Sequence, residues 1–303
     1  MNFRPAGEPS SNNGATEMDV STFDKTICTL GEGPLWHPER GQLYWFDIVG
    51  CCLLTREGGQ TKSWDFDHHV SAAGWVDKDN LLVASEIALS LFDLTTGKAT
   101  EIAKLEADNP ITRSNDGRAD PFGGFWIGTM GKLAEPDAGA IYRYYRGELR
   151  QLFPNITISN AICFTPDGGH AFFTDTVKGH VMRQRLGEEG WPVGEPELYL
   201  DLVAAGLRPD GAVVDADGLF WNAQYGGGRV SAYDAQGALQ HRIDIPAPNT
   251  TCPAFGGPDL TDMFVTSATQ GMSKDKRAEW PQAGQTFKVD LGIKGQAEHR
   301  VVI

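Results

Sequence analysis

This chain contains a sixfold internal repeat. In each unit a Gly- or Asp-rich turn precedes a short strand rich in aromatic and apolar residues, as in ERGQLYWFD and PDGGHAFFTD. The six turn-and-strand runs lie at 39–47, 77–85, 120–129, 166–175, 215–223 and 258–267. A turn followed by such a run is typical of antiparallel strands. A repeat period of about 40–50 residues is that of four-stranded propeller blades.

A third strand follows each of these runs. The third strands begin at Cys52, Leu89, Ala140, His180, Arg229 and Thr286. Fourth strands are clear only near Leu149 and Leu239. Helical periodicity is nearly absent, and an eight-stranded jelly roll would not generate six similar units. We therefore predict an all-β fold, a six-bladed β-propeller forming one domain over residues 19–303, in which the segment 20–29 adds a strand to the last blade.

Composition sets the expected location and partners. The first 18 residues are polar and lack the apolar segment of a secretory signal, so we predict that they are disordered. No run of 18 apolar residues occurs, so no membrane helix and no membrane partner are expected. The five cysteines form no CxxC pair, which favours reduced thiols in a cytoplasmic protein. The net charge of -14 disfavours nucleic acid, and we expect a monomer or small homo-oligomer.

A polar residue opens the innermost strand of every unit. These residues are Glu32, Ser71, Asn115, Asn160, Asp210 and Thr251. Innermost strands surround the central channel of a propeller, so the six side chains should converge. Each alone has a plain structural explanation, because Asn and Asp are common turn formers. Together, two carboxylates and two amides are costly to bury near an axis without a cation. Their oxygens suit calcium, magnesium or manganese, and the absence of histidine disfavours a His-rich zinc site while leaving zinc open.

The sequence resembles the SMP-30/gluconolactonase/LRE family of regucalcin-like sugar lactonases. The matching stretches span residues 28 to 290 and include LGEGPLWHPERGQLYWFDI, RSNDGRADPFGGFWIGTM, ISNAICFTPDGGHAFFTDT, RPDGAVVDADGLFWNAQYGGGRV and CPAFGGPDLTDMFVTSA. The resemblance implies a propeller with a central metal site for one divalent ion: calcium, zinc, manganese or magnesium. It places the metal ligands on Glu32, Asn160 and Asp210, the sugar-binding residues on Arg113 and Asn115, and the catalytic base on Asp210.

One segment departs from the family pattern. Some members carry a substrate-binding Glu shortly after the GTM motif, where this chain reads GKLAEPD. Leu133 stands near that position and Glu135 lies close by, so the sugar preference does not transfer. His68 and His69 precede the second inner strand, but their spacing matches no ligand motif, and we interpret them as surface or supporting residues.

These features predict a metal-dependent hydrolase that opens a sugar lactone, an aldonolactone such as gluconolactone or a pentonolactone, to the aldonic acid. No GxSxG motif occurs, and the chemistry requires no serine nucleophile. One alternative is a phosphotriesterase or aryl-lactonase-like hydrolase, which favours a more apolar channel. Another is a non-enzymatic metal-binding regulatory or sugar-sensing propeller, because the polar axial residues would serve binding alone and the fold does not decide function.

Overall fold

A computed structural model describes residues 19–303 as six four-stranded antiparallel sheets arranged around one axis. The predicted disorder of residues 1–18 lies outside the described residues. Blade one contains β2 (Gly31–His37), β3 (Gln42–Asp47), β4 (Cys52–Glu57) and β5 (Gln60–Asp65). Blade two contains β6 (Val70–Asp77), β7 (Asn80–Ser85), β8 (Ala88–Asp93) and β9 (Ala99–Lys104). Blade three contains β10 (Thr112–Ala119), β11 (Phe125–Gly131), β12 (Gly139–Tyr145) and β13 (Glu148–Ile156).

The remaining blades follow the same order from the axis outward. Blade four contains β14 (Ser159–Phe164), β15 (His170–Asp175), β16 (His180–Arg185) and β17 (Glu197–Asp201). Blade five contains β18 (Pro209–Val214), β19 (Phe220–Gln224), β20 (Arg229–Tyr233) and β21 (Leu239–Asp244). Blade six contains β22 (Thr250–Gly256), β23 (Asp262–Ser267), β24 (Thr286–Asp290) and β1 (Val20–Asp24). The predicted six-bladed propeller is therefore confirmed.

Blade six joins the two ends of the described chain. Strand β1 pairs antiparallel with β24, with Val20 opposite Val289. The predicted strand from the segment 20–29 is thus present, although only Val20–Asp24 is extended and paired. This arrangement closes the ring with hydrogen bonds between distant parts of the sequence.

Two outer strands have especially weak sequence signals. Strands β5 and β9 are mostly exposed and largely polar, so they show none of the regular apolar alternation that marks a half-buried strand. No helical periodicity indicated α1 (Lys274–Glu279), the one helix among residues 19–303, which begins after Ser273 and buries no residue. Across residues 19–303, no helix is long and apolar enough to cross a membrane.

The core lies between neighbouring blades and is dominated by aromatic residues of the second strands. Trp45, Trp126 and Trp221 occupy β3, β11 and β19 and are completely buried. Burying a side chain of this kind contributes roughly 3 kcal/mol. The repeated aromatic positions of the sequence are therefore the contacts that hold each blade against the next.

The C-terminal segment covers one end of the central channel. The Gln296 amide donates to the carbonyl oxygens of Phe164 and Val214, at 3.0 and 2.9 Å, which are the last residues of β14 and β18. Glu298 forms a buried ion pair with Arg118 of β10. Because this segment binds the far ends of the inner strands, the residues that open those strands lie at the opposite end.

Candidate active site

The inner strands are irregular where they open at the axis. In β2 the strand register breaks between Glu32 and Leu35, and in β14 it breaks between Asn160 and Cys163. Strand β18 has the same irregularity around Asp210. Bulges of this kind redirect side chains and are common next to functional sites. The left-handed φ of 58° at Ala161, a buried non-glycine residue, is a further sign of local strain beside Asn160.

The irregular strand openings surround a cavity of about 410 Å³. All five site residues predicted from the sequence line it: Glu32, Arg113, Asn115, Asn160 and Asp210. We refer to Glu32, Asn115, Asn160 and Asp210 as the axial set. The other two residues in register, Ser71 and Thr251, are buried but do not line the cavity. Ser71 donates to Ser114 Oγ at 2.8 Å, and Thr251 donates to the Gly31 carbonyl oxygen at 2.6 Å.

A second ring of side chains stands outside the axial set. In each of the four blades that supply the axial set, the residue two positions earlier also lines the cavity. Alternate residues of an extended segment project to the same side, which explains the spacing. These residues, which we call the wall set, are Leu30, Arg113, Ile158 and Arg208. The wall is therefore alternately apolar and cationic around the four blades.

Glu32 and Asp210 place two buried carboxyl groups close together. Burial and the nearby Asp116 carboxylate raise the pKa of Glu32 to about 8. Burial and the proximity of Glu32 raise the pKa of Asp210 well above its usual value. Two ionised carboxylates in this setting repel each other and have lost their hydration. A divalent cation between them would remove both penalties.

Hydrogen bonds fix the two amides of the axial set. The Asn160 amide nitrogen donates to Thr176 Oγ1 at 2.9 Å, and the Thr176 hydroxyl donates in turn to the Pro209 carbonyl at 2.7 Å. The Asn115 amide nitrogen donates to the Ser159 carbonyl at 2.8 Å and to Asn160 Oδ1 at 3.2 Å. The Asn160 nitrogen is bound to Thr176 and its oxygen accepts one hydrogen bond from Asn115, so one lone pair of that oxygen is left for a ligand.

Arg113 supplies positive charge beside the carboxyl groups. Its Nη1 donates to Asn115 Oδ1 at 2.7 Å and to the Ser114 carbonyl at 2.8 Å. Burial lowers the pKa of Arg113 to about 10, while Glu32 and Asp210 act in the opposite direction. The guanidinium is therefore held rigidly in its charged form near the axial set.

The axial residues fit a hard divalent cation. Two carboxylates and an amide oxygen are the donors that calcium, magnesium and manganese prefer, and zinc also accepts oxygen ligands. Within residues 19–303, no group of three or more His, Cys, Asp or Glu side chains is placed to hold a metal.

Comparisons with known proteins identify the family. Residues 30–269 match the SMP-30/Gluconolactonase/LRE-like region. The chain belongs to the SMP-30/gluconolactonase/LRE-like family. It is 41% identical over 91% of its length to a Rhizobium meliloti (strain 1021) protein provisionally named a sugar lactone lactonase, and covers 95% of that protein. It is 35% identical to an L-arabinolactonase of Azospirillum brasilense, with 91% and 93% of the two chains covered.

A solved structure agrees with this assignment. The crystal structure of a calcium-binding protein, regucalcin, from Agrobacterium tumefaciens strain C58 superposes with a TM-score of 0.92. Its sequence is 39% identical to that of this chain, and the match covers 94% of this chain and 98% of the regucalcin chain.

The segment that departs from the family pattern lies at the cavity mouth. Leu133 lines the cavity and is 86% exposed. Glu135 does not line it, and its carboxylate accepts a hydrogen bond from the Leu133 backbone N–H at 3.0 Å. His69 bonds to Glu86 at 2.6 Å and is likewise absent from the cavity lining.

Several residues at or beside the site were not predicted from the sequence. Thr176, Arg208 and Tyr225 line the cavity, and Asp116 is buried beside the axial set with a pKa raised to about 6 by its burial. Two of them had a usable signal, since Asp116 directly follows Asn115 and Arg208 stands two positions before Asp210. Thr176 and Tyr225 follow second strands, and only the folded arrangement brings them to the axis.

Proposed function

We propose that this chain is a sugar lactone lactonase, a gluconolactonase-like carboxylic ester hydrolase that opens an aldonolactone to the aldonic acid. The observation that carries the proposal is the axial set of two buried carboxyl groups and two amides below an open cavity of about 410 Å³. The lactonase names of its relatives support the same reaction class. Gluconolactone and pentonolactones are the candidate substrates.

The proposal includes one divalent ion bound by Glu32, Asn160 and Asp210. When bound, the ion would act as a Lewis acid toward the lactone carbonyl. Calcium, zinc, manganese and magnesium are all candidates, and the calcium-binding regucalcin of similar structure supports calcium among them.

The protein's own groups then carry the proton and the charge. Asp210 accepts a proton from the attacking water and returns it to the ring oxygen as the C–O bond of the lactone breaks, which yields the hydroxyl and carboxylic acid of the product. Arg113 offsets the negative charge that develops on the carbonyl oxygen. Arg113 and Asn115 bind sugar hydroxyls and orient the ring, and their mutual hydrogen bond of 2.7 Å holds both in place.

A phosphotriesterase or aryl-lactonase activity has one specific observation in its favour. Part of the cavity lining is apolar, formed by Leu30, Met130, Leu133, Ile158 and Tyr225. An aromatic leaving group would pack against these side chains. The charged and amide-rich floor favours a hydroxylated ring instead, so we rank this activity second.

A lactone panel tests the proposed function. The protein is freed of metal, reloaded separately with each of the four ions, and assayed by acid release against hexono- and pentonolactones, an aryl lactone and a phosphotriester. We expect turnover of sugar lactones with at least one ion. Stoichiometric metal binding without turnover of any ester would support the non-enzymatic binding module instead. The cytoplasmic location and the oligomeric state stay predictions.

A further inference from the structure

Arg208 is the unusual member of the wall set. The other wall cation, Arg113, is buried and hydrogen-bonded to Ser114 and Asn115. Arg208 is exposed, and its side chain has no hydrogen bond or ion pair to any of residues 19–303. A guanidinium that lines a cavity without a protein partner is available to a ligand.

The backbone of Arg208 is anchored to the site. Its carbonyl oxygen accepts a hydrogen bond from the Tyr225 N–H at 3.0 Å, and the next carbonyl, that of Pro209, accepts one from Thr176 at 2.7 Å. Asp210 follows two positions later, about 7 Å along an extended strand. The backbone of Arg208 is therefore held in place, and its distance from Asp210 is close to the length of a sugar.

The other cation at the mouth is already neutralised. Lys132 lines the cavity, but its ammonium lies 3.1 Å from the Glu86 carboxylate. The acidic side chains that line the cavity are Glu32 and Asp210, both buried on its floor. No acidic residue of the described chain lines the mouth beside Arg208. The protein has a net charge of -14, so an unpaired cation at this point favours anionic ligands, which most of the surface repels.

We propose that Arg208 is a specificity-determining residue that binds an anionic group on the substrate. The preferred lactones would carry an acidic group, a carboxylate, sulfonate or phosphate, at the carbon farthest from the lactone carbonyl. A guanidinium forms charge-assisted, often paired hydrogen bonds with each of these groups. The inference rests on the proposed lactonase function and narrows its substrate class from neutral to acidic sugar lactones.

Two lactones that differ in one group provide the test. D-glucaro-1,4-lactone carries a carboxylate where D-glucono-1,4-lactone carries a hydroxymethyl group. We expect the wild-type protein to have the higher kcat/KM for the glucaro compound. Arg208→Gln should lower the ratio of the two kcat/KM values about tenfold or more, mainly through KM, since a hydrogen bond to a charged group is lost. Arg185→Gln is the matched control, because Arg185 is also exposed but does not line the cavity.

A binding measurement separates this inference from the proposed function. Calorimetry compares D-glucitol 6-phosphate with D-glucitol on the metal-loaded wild-type and Arg208→Gln proteins. Tighter binding of the phosphate that is lost in Arg208→Gln supports the inference even if no lactone is hydrolysed. An equal kcat/KM for the two lactones in the wild type, or an unchanged ratio in Arg208→Gln, would overturn it while leaving lactone hydrolysis intact.

Discussion

Asp210 combines two proposed roles, metal ligand and proton acceptor, in one buried carboxyl group. Asp210→Asn keeps the size and one oxygen ligand but removes the negative charge and the proton acceptor. We expect a moderate loss of metal affinity and a loss of turnover of about 100- to 10,000-fold. The assay is run at saturating metal, with occupancy confirmed by elemental analysis. A near wild-type rate would show that Asp210 is a ligand only.

Asn115→Ala tests whether Asn115 binds the substrate rather than the metal. The substitution removes the hydrogen bonds of Asn115 to Arg113, to the Ser159 carbonyl and to Asn160 Oδ1, but it removes none of the three proposed metal ligands. We expect KM for a sugar lactone to rise while the metal content stays at one ion per chain. Stoichiometric loss of the metal would instead place Asn115 among the ligands.

The conformation at the start of β2 depends on Gly33. Its φ is 54°, and a Cβ there would lie 2.2 Å from the Ser71 carbonyl oxygen. Gly41 has a similar φ of 60° but nothing within 4 Å, so Gly41→Ala isolates the cost of the backbone conformation, about 1–2 kcal/mol. Gly33→Ala should destabilise the protein more in denaturant unfolding and also weaken metal binding, because Glu32 is adjacent. Equal losses for the two variants would show that β2 accommodates the extra atom.

Buried strands were easier to predict from the sequence than exposed ones. Second strands such as β3 and β11 are packed between blades, so their aromatic pattern was clear. Outer strands such as β5 and β9 face solvent, and their polar residues carry little pattern. The residues of the axial set followed from their register in the repeat. The bulges at the strand openings and the wall residues Leu30 and Ile158 did not, because they depend on how neighbouring blades pack.

The pairing of β1 with β24 closes the ring of blades, and shortened chains test this closure. Phe23 of β1 packs edge-on against Phe264, with ring centroids 4.8 Å apart, and buried Asp24 accepts a hydrogen bond from Thr61 at 2.6 Å. A chain that begins at Asp19 is the matched control, because it retains all of β1. A chain that begins at Lys25 loses these contacts and exposes the edge of β24, so it should be less stable by about 3–5 kcal/mol or more and prone to aggregate. Equal thermal stability and equal elution volume of the two chains would contradict closure by β1.

The most direct test follows lactone turnover and metal content in the same sample during stepwise chelation and re-addition. If Glu32, Asn160 and Asp210 hold the ion that the reaction needs, the turnover of a sugar lactone falls in proportion to the metal content and returns when the ion is restored. Thermal stability should follow the same course, since an ion bound only by the folded state stabilises it by about 2.7 kcal/mol at a hundredfold excess over its Kd. Full turnover by a sample shown to be metal-free would contradict a metal-dependent lactonase.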